Sequence, residues 1–313
     1  MTSDVPHLNP PAVWVIGEAL VDIVTVDGVT SELPGGSPAN VAYGLGRLGI
    51  DVALLSHLAH DARGTAILRH IENSGARVSM ESMTAERTSS AAATLDETGA
   101  ASYVFDIDWA LPRVIAPPAS RIIHTGSIAS FLEPGATRVR ELIAAAAADV
   151  IVTYDPNIRP GIIGARVAAT EAFEKMASLA TLVKLSDEDA GWLYPDLTLD
   201  EILALILELG PSLAVATRGG EGSILTSRLA RIELAAEPVT VVDTIGAGDT
   251  YMASLLYSLL ELDSREFSAD VLLSIGRRAA VSASITVSRS GAALPSQAEV
   301  TAALAVGGLA TAL

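Results

Sequence analysis

Short β-rich runs alternate with helix-patterned stretches along nearly the whole chain, and this rhythm restricts the possible folds more than any other property. Val13-Trp14-Val15-Ile16, Val52-Ala53-Leu54-Leu55, Arg121-Ile122-Ile123-His124, Val150-Ile151-Val152-Thr153-Tyr154, Thr181-Leu182-Val183-Lys184 and Leu213-Ala214-Val215-Ala216-Thr217 read as strands. Residues 40–48 and 65–73 carry helical patterns, and more helical stretches separate the later strands. Such alternation predicts an α/β fold, with a mostly parallel sheet covered by helices on both faces. Residues 21–29 and 91–105 break the rhythm. They alternate β-formers with polar residues and small turns, as hairpins with one wet face do. With 313 residues, half of them hydrophobic, the chain can bury the core of one large domain or of a domain with a small appendage.

A formal charge of −17 argues against binding to nucleic acid or an anionic membrane. Lys175 and Lys184 are the only lysines, and no Gly-x-x-x-x-Gly-Lys-Ser/Thr run exists. Any nucleotide phosphate must then be held by backbone N–H groups and arginines. The absence of cysteine excludes thiolate chemistry and fits a cytoplasmic location. Residues 1–11 lack the pattern of a signal peptide, and no apolar run is long enough to span a bilayer. The five histidines show no metal-binding pattern.

Chemistry enters at Asp243-Thr244-Ile245-Gly246-Ala247-Gly248-Asp249. A β-rich run, Val239-Thr240-Val241-Val242, precedes it, and an apolar helix pattern from Tyr251 follows. A small-residue turn at a helix N-terminus presents free N–H groups and the positive end of the helix dipole. Asp249 would repel an anion held there, so it reads as a base that takes a proton from a nucleophile. Gly246, Ala247 and Gly248 would hold the charge developing on the electrophile, which is a phosphoryl-transfer layout without a P-loop. By contrast, Gly44-Leu45-Gly46-Arg47-Leu48-Gly49 matches the dinucleotide fingerprint only in spelling. It lies within a helix instead of between a strand and a helix, so its glycines read as helix-packing positions.

The turn at 243–249 resembles the second signature of the ribokinase-like, or PfkB, family of carbohydrate kinases, with Ser254 where the family usually has Gly or Ala. Pro34-Gly35-Gly36-Ser37-Pro38-Ala39-Asn40 resembles the first signature, in a form nearer fructokinases than ribokinases. Asp61 and Gly64 match its later half, while Ala59 replaces a glycine. Gly35 and Gly36 would allow backbone approach to a ligand, and Asn40 offers a donor and an acceptor to a sugar diol. Asp22, after the first strand, matches the sugar-binding aspartate. Asp155-Pro156-Asn157-Ile158-Arg159 resembles the Asp-x-Asn-x-Arg loop of fructokinases and 2-keto-3-deoxygluconate kinases, which puts Arg159 at the cleft. Gly161-Ile162-Ile163 then replaces the Leu-Trp that often follows. Tyr103 and Phe105 would cover one face of the sugar. Asp106 and Asp108 beside them would repel a carboxylate, which favours a neutral acceptor.

On the nucleotide side, residues 183–189 resemble the family's Asn-x-x-Glu element, which organises magnesium and phosphate through water. Ser186 and Asp189 stand in for Asn and Glu. Thr217, Gly219 and Gly222 match the Thr-x-Gly-x-x-Gly loop at the ATP phosphates. Asp243, with the loop Arg289-Ser290-Gly291-Ala292, matches a potassium site of some members.

The resemblance spans residues 12–300. It implies a single ribokinase-like three-layer sandwich over residues 1–313, with a β-sheet lid from inserts near 18–32 and 90–110. It implies an ATP- and Mg²⁺-dependent kinase that phosphorylates a hydroxyl of a neutral sugar, fructose first. Ribokinase, 2-keto-3-deoxygluconate kinase and nucleoside kinase activities stay open, as do K⁺ dependence and a homodimer formed through the lid. From another class, a non-catalytic sugar sensor on the same fold remains an alternative.

Overall fold

The computed structural model describes residues 10–26, 29–95, 101–112, 114, 119–262 and 264–310. Its first half comprises β1 (Val13–Ile16), β2 (Leu20–Val26), β3 (Val29–Gly35), α1 (Ser37–Arg47), β4 (Val52–Leu55), α2 (Ala62–Asn73), β5 (Arg77–Val78), β6 (Ser90–Leu95), β7 (Ala101–Asp106), β8 (Ile122–Gly126) and α3 (Gly135–Ala144). Its second half comprises β9 (Ile151–Asp155), α4 (Pro160–Ile163), α5 (Arg166–Ala177), β10 (Leu182–Ser186), α6 (Asp187–Leu193), α7 (Leu199–Leu209), β11 (Leu213–Thr217), β12 (Ser223–Ser227), β13 (Arg231–Leu234), α8 (Ala247–Glu261), α9 (Ala269–Val287) and α10 (Gln297–Ala310).

Nine strands form the large sheet in the order β13-β12-β11-β10-β9-β8-β1-β4-β5. It is parallel from β5 to β11 and closes with the antiparallel pair β12 and β13 at one edge. Strand alternation splits its side chains between two cores. Val13, Val15, Ile122, Leu182 and Val215 pack with residues of α1, α8 and α9. Trp14, Ile16, Ile123, Val183 and Leu185 pack with residues of α3, α5, α6 and α7. Burying both faces explains why the strands read as unbroken apolar runs. Each such aliphatic side chain contributes about 1.5–3 kcal/mol on burial. This is the three-layer sandwich expected from the sequence.

Two glycines of the apparent dinucleotide motif, Gly44 and Gly46, are packing positions, whereas Gly49 takes φ 80° just after α1 with no neighbour within 4 Å of a Cβ. A Cβ on Gly44 would lie 2.5 Å from Leu294 Cδ2 and 3.0 Å from Ala253 Cβ, so its absence lets α1 approach α8. Ser254, the family departure, is buried and accepts a hydrogen bond from Ser282 Oγ of α9 at 3.1 Å. One expectation fails. The β-rich run at 239–242 forms no strand, and Val241 and Val242 are 60% and 61% exposed. Val242 N and Asp243 N donate to Val287 O, so this segment hangs on the end of α9 and pairs with no sheet strand.

The smaller sheet has the order β3-β2-β6-β7. Its two hairpins are antiparallel, and the pairing of β2 with β6 that joins them is parallel. Leu33, Asp22, Ala91 and Phe105 form one cross-strand row and so share a face. An ion pair between Glu32 and Arg63 ties the sheet to α2.

Candidate active site

The carboxyl ends of the parallel strands converge on a cleft of about 830 Å³. That is the end of an open α/β sheet where ligands bind. The glycine turn sits on its rim. Gly246 takes the left-handed conformation, φ 76°, and starts α8, and a Cβ there would come 2.9 Å from Ala292 Cβ. A side chain is therefore excluded twice, by backbone conformation and by space. Ala247 and Gly248 form the first helical residues and line the cleft.

Asp249 follows on the same turn. Its Oδ1 accepts from Ser37 Oγ at 2.7 Å and its Oδ2 from Asn40 Nδ2 at 2.8 Å. Ser37 and Asn40 are three apart on the first turn of α1, so both face α8. Burial raises the Asp249 pKa, while these two donors and the charges of Lys184 and Arg159 oppose the rise. Ser37 escaped sequence reasoning as a site residue. The signal available was its position, one that carries lysine in ribokinases.

Gly35 and Gly36 make room for the chain's own atoms. A Cβ on Gly35 would lie 2.0 Å from Asp22 Oδ2, and one on Gly36 would lie 2.7 Å from Glu18 O. Asp22 is thereby seated between the start of β2 and the end of β3. Its carboxyl is raised by desolvation, with Arg159 opposing and Asp249 adding. Buried Glu18 is pushed up to about 8 by desolvation, with hydrogen bonds from Ser127 and Ala129 and the charge of Arg159 opposing. Arg159, on the cleft wall, is thus felt by Glu18, Asp22 and Asp249 together. Phe105 reaches across toward the same loop: a Cβ on Gly161 would lie 3.9 Å from its ring. The side chain of Tyr103 lies outside the described residues.

Asp106 and Asp108 differ from the simple expectation. Asp106 is paired with Arg87 Nη2 at 2.8 Å, and Asp108 lies 3.7 Å from His57 Nε2. Arg87 matches the charge of Asp106, whereas burial lowers the His57 pKa and leaves Asp108 without a full countercharge, so Asp108, Asp22 and Asp249 share the bias against acidic ligands.

The phosphate side of the cleft contains a lysine. Lys184 is 4% exposed, and its Nζ lies 2.6 Å from Asp155 Oδ2 and 3.5 Å from where a Gly248 Cβ would be. The expectation of phosphate held by backbone and arginines alone is therefore incomplete. Nothing in an apolar strand sequence distinguishes this lysine; only the sheet register places it beside Asp155. Ser186 and Asp189 close a capping box at the start of α6, with reciprocal bonds of 3.0 Å. Asp189 Oδ1 also accepts from Ile158 N at 2.8 Å. Thr217 ends β11, Gly219 and Gly222 lie in the turn to β12, and all three line the cleft. A Cβ on Gly222 would meet Leu234 O at 1.9 Å. Beyond them Pro238, Val239, Val241, Ala280, Ala283 and Val287 supply an apolar wall, so the failed strand becomes a cleft-lining segment.

Asp243 joins the turn to the C-terminal loop: its Oδ1 accepts from Ile245 N at 3.0 Å and its Oδ2 from Gly291 N at 2.8 Å. These backbone donors hold its carboxyl low and charged. Among the described residues, no group of three or more His, Asp or Glu could hold a metal on its own.

A three-layer α/β fold with a glycine turn and an aspartate at a helix N-terminus defines a ribokinase-like phosphotransfer fold. The chain belongs to the pfkB family of carbohydrate kinases, whose model matches residues 13–299. A fructokinase of Rhizobium leguminosarum bv. trifolii is 33% identical over 255 residues, 78% of either chain. Two solved structures share the fold. Fructokinase with bound ATP from Xylella fastidiosa superposes with a TM-score of 0.83 at 24% identity, covering 95% of this chain and 98% of that one. A fructokinase double mutant from Vibrio cholerae O395, with fructose, ADP and potassium, gives 0.82 at 24% identity, covering 95% and 100%.

Proposed function

We propose that this protein is an ATP-dependent sugar kinase that transfers the γ-phosphoryl group to a hydroxyl of a neutral sugar, with fructose as the first candidate. One observation carries the reading: Asp249 is gripped by two α1 side chains beside the Gly246–Gly248 turn, whose Ala247 and Gly248 line a cleft of about 830 Å³. Asp249 takes the proton of the acceptor hydroxyl. The freed oxygen attacks the γ-phosphorus in line, the bond to the β-phosphate oxygen breaks, and ADP leaves. N–H groups of Gly246, Ala247 and Gly248 hold the charge on the transferred group, and Lys184 adds a fixed cation beneath them. Mg²⁺ would neutralise the phosphates, with Asp189 among the oxygens behind its water shell.

Asp22, Asn40 and Arg159 bind the sugar, Gly35 and Gly36 shape its floor, and the smaller sheet covers it with Tyr103 and Phe105. Its strands are inserts near 18–32 and 90–110 in one domain spanning 1–313. Thr217, Gly219, Gly222 and Ser186 face the nucleotide. Asp243 places a K⁺ site beside the turn, and replacement of K⁺ by an inert cation should lower turnover. Among the described residues no helix is long and apolar enough to cross a membrane, in keeping with a cytoplasmic enzyme. A homodimer formed through the smaller sheet completes the reading.

The test is ATP-dependent ADP release with fructose, ribose, glucose, 2-keto-3-deoxygluconate, fructose 6-phosphate, tagatose 6-phosphate and adenosine, each with Mg²⁺ and with or without K⁺. Fructose should turn over fastest. Another acceptor winning would keep the mechanism and overturn the choice of sugar. Asp249→Asn should cut kcat by at least 10³-fold, on the order expected for a lost base, while sugar still binds. No turnover in the wild type, with sugar binding intact, would identify the sensor.

A further inference from the structure

The strands of the smaller sheet leave the body of the molecule at separate points in the chain, yet their roots meet at one buried side chain. Glu18 leads into β2, is 4% exposed, and its Oε2 accepts from Ala129 N at 3.1 Å. Ala129 O in turn accepts from Trp109 Nε1 at 3.1 Å, and buried Trp109 lies just beyond the end of β7. Asp108 N donates to Ser89 Oγ at 2.9 Å, which ties the exit of β7 to the entrance of β6. From the other side, the chain leaving β3 presses on the same residue: a Cβ on Gly36 would lie 2.7 Å from Glu18 O. Both hairpins are therefore fastened through Glu18 and Ala129.

The turn that receives these bonds is held in an unfavourable shape. Ser127 has φ 53°, a left-handed conformation that favours glycine. Ser130 Oγ donates to Ser127 O at 2.8 Å and lies 3.1 Å from Tyr154 Oη, so the turn is braced from below. Local strain of this kind persists where the surroundings over-determine it, and it collects at functional sites. We propose that Glu18 is a positioning residue of the sugar site, which holds the roots of both hairpins so that the smaller sheet closes over the sugar in one register and Arg159 stays available to the ligand. This rests on the kinase reading for the identity of the ligand and goes beyond it in naming what fixes the cover.

The state of the carboxyl gives the role a signature. Burial pushes its pKa up to about 8, so at neutral pH it is an uncharged acid that accepts from Ala129 and can donate to Ser127. The groups that face it are Ser127 and Ala129 from the turn after β8 and Arg159 from the loop after β9. Asp22 and Asp249 feel the same arginine. Once ionised, Glu18 competes with these two carboxylates for one guanidinium and draws it inward, away from the cleft. Sugar affinity should therefore hold below about pH 8 and fall above it.

The test is calorimetric titration with fructose and the other acceptors of the panel, between about pH 7 and about pH 9. Wild type should bind its tightest acceptor about threefold or more weaker at the upper end. Glu18→Gln keeps the shape, a donor and an acceptor, so it should match wild type at neutral pH and lose the alkaline fall. Trp109→Phe removes the donor to Ala129 and should weaken sugar binding at every pH, with ADP affinity unchanged. A flat wild-type profile overturns the proposal, as does a Glu18→Gln that misses the wild-type affinity at neutral pH or keeps the fall. So does a Trp109→Phe that leaves sugar binding intact or weakens ADP equally. Because binding is read without turnover, a wild type that binds sugar and transfers no phosphate overturns the kinase reading alone. One that binds no acceptor of the panel overturns both.

Discussion

Ser37 and Asn40 illustrate how single side chains set the chemistry of the base. Their hydrogen bonds favour the ionised form of Asp249, against burial that disfavours it. Turnover needs the carboxylate, so activity falls as pH drops, with an acidic limb above the ordinary aspartate value of 3.8. Ser37→Ala or Asn40→Ala removes a stabilising donor and should move the limb of kcat/KM to higher pH. A limb that stays in place would show that these contacts do not tune the base. Gly246→Ala should act differently. Its left-handed backbone costs an alanine about 1–2 kcal/mol, and the new Cβ would press on Ala292 at 2.9 Å. A loss of kcat larger than the modest fall in Tm is the expected outcome. Asp249 and its turn were legible in the sequence because helix start, glycines and carboxylate are adjacent in the chain. Lys184 and Asp155 were not, because their pairing exists only through the register of β9 and β10.

At the level of elements, α10 is anchored by buried Val300, by Gln297 bonded to Arg278 and Tyr257, and by the carboxylate of Glu299. Glu299 accepts from Ser296 N and Oγ, both at 2.8 Å, and from Arg289, and Arg47 of α1 lies 3.6 Å away. The Ser296 backbone bond leads in lowering its pKa from 4.5 to about 2. A carboxyl depressed on folding stabilises the native state above its unfolded value, and that stability is lost as pH falls through the folded value. Tm should therefore decline between about pH 4.5 and pH 2, and Glu299→Gln should flatten that part of the curve. Six strands of the central sheet, β1, β4, β8, β9, β10 and β11, were readable from the sequence, whereas the short edge strand β5 and the antiparallel pair β12 and β13 were not. The run at 239–242 was not, since β-propensity reflects a fit to a half-buried pleated surface and this segment has no neighbouring strand to pair with. The two hairpins of the smaller sheet were readable, but not the parallel pairing of β2 with β6, which joins segments about 70 residues apart.

For the whole molecule, the smaller sheet leaves Leu33 56% exposed in the same row as Asp22 and Phe105. The homodimer proposed above would cover this side chain with a second copy. Light scattering should give a dimer mass, and Leu33→Glu should shift it toward monomer; a monomeric wild type would remove this part of the reading. The rarity of lysine has a practical side. Lys175 is exposed on α5, whereas Lys184 lies locked against Asp155 in the core. Besides the α-amino group, amine-reactive dyes should then mark Lys175 alone and leave Lys184 untouched until the sheet comes apart. The natural chain thus carries both an attachment point for surface immobilisation and a built-in chemical reporter of its own unfolding.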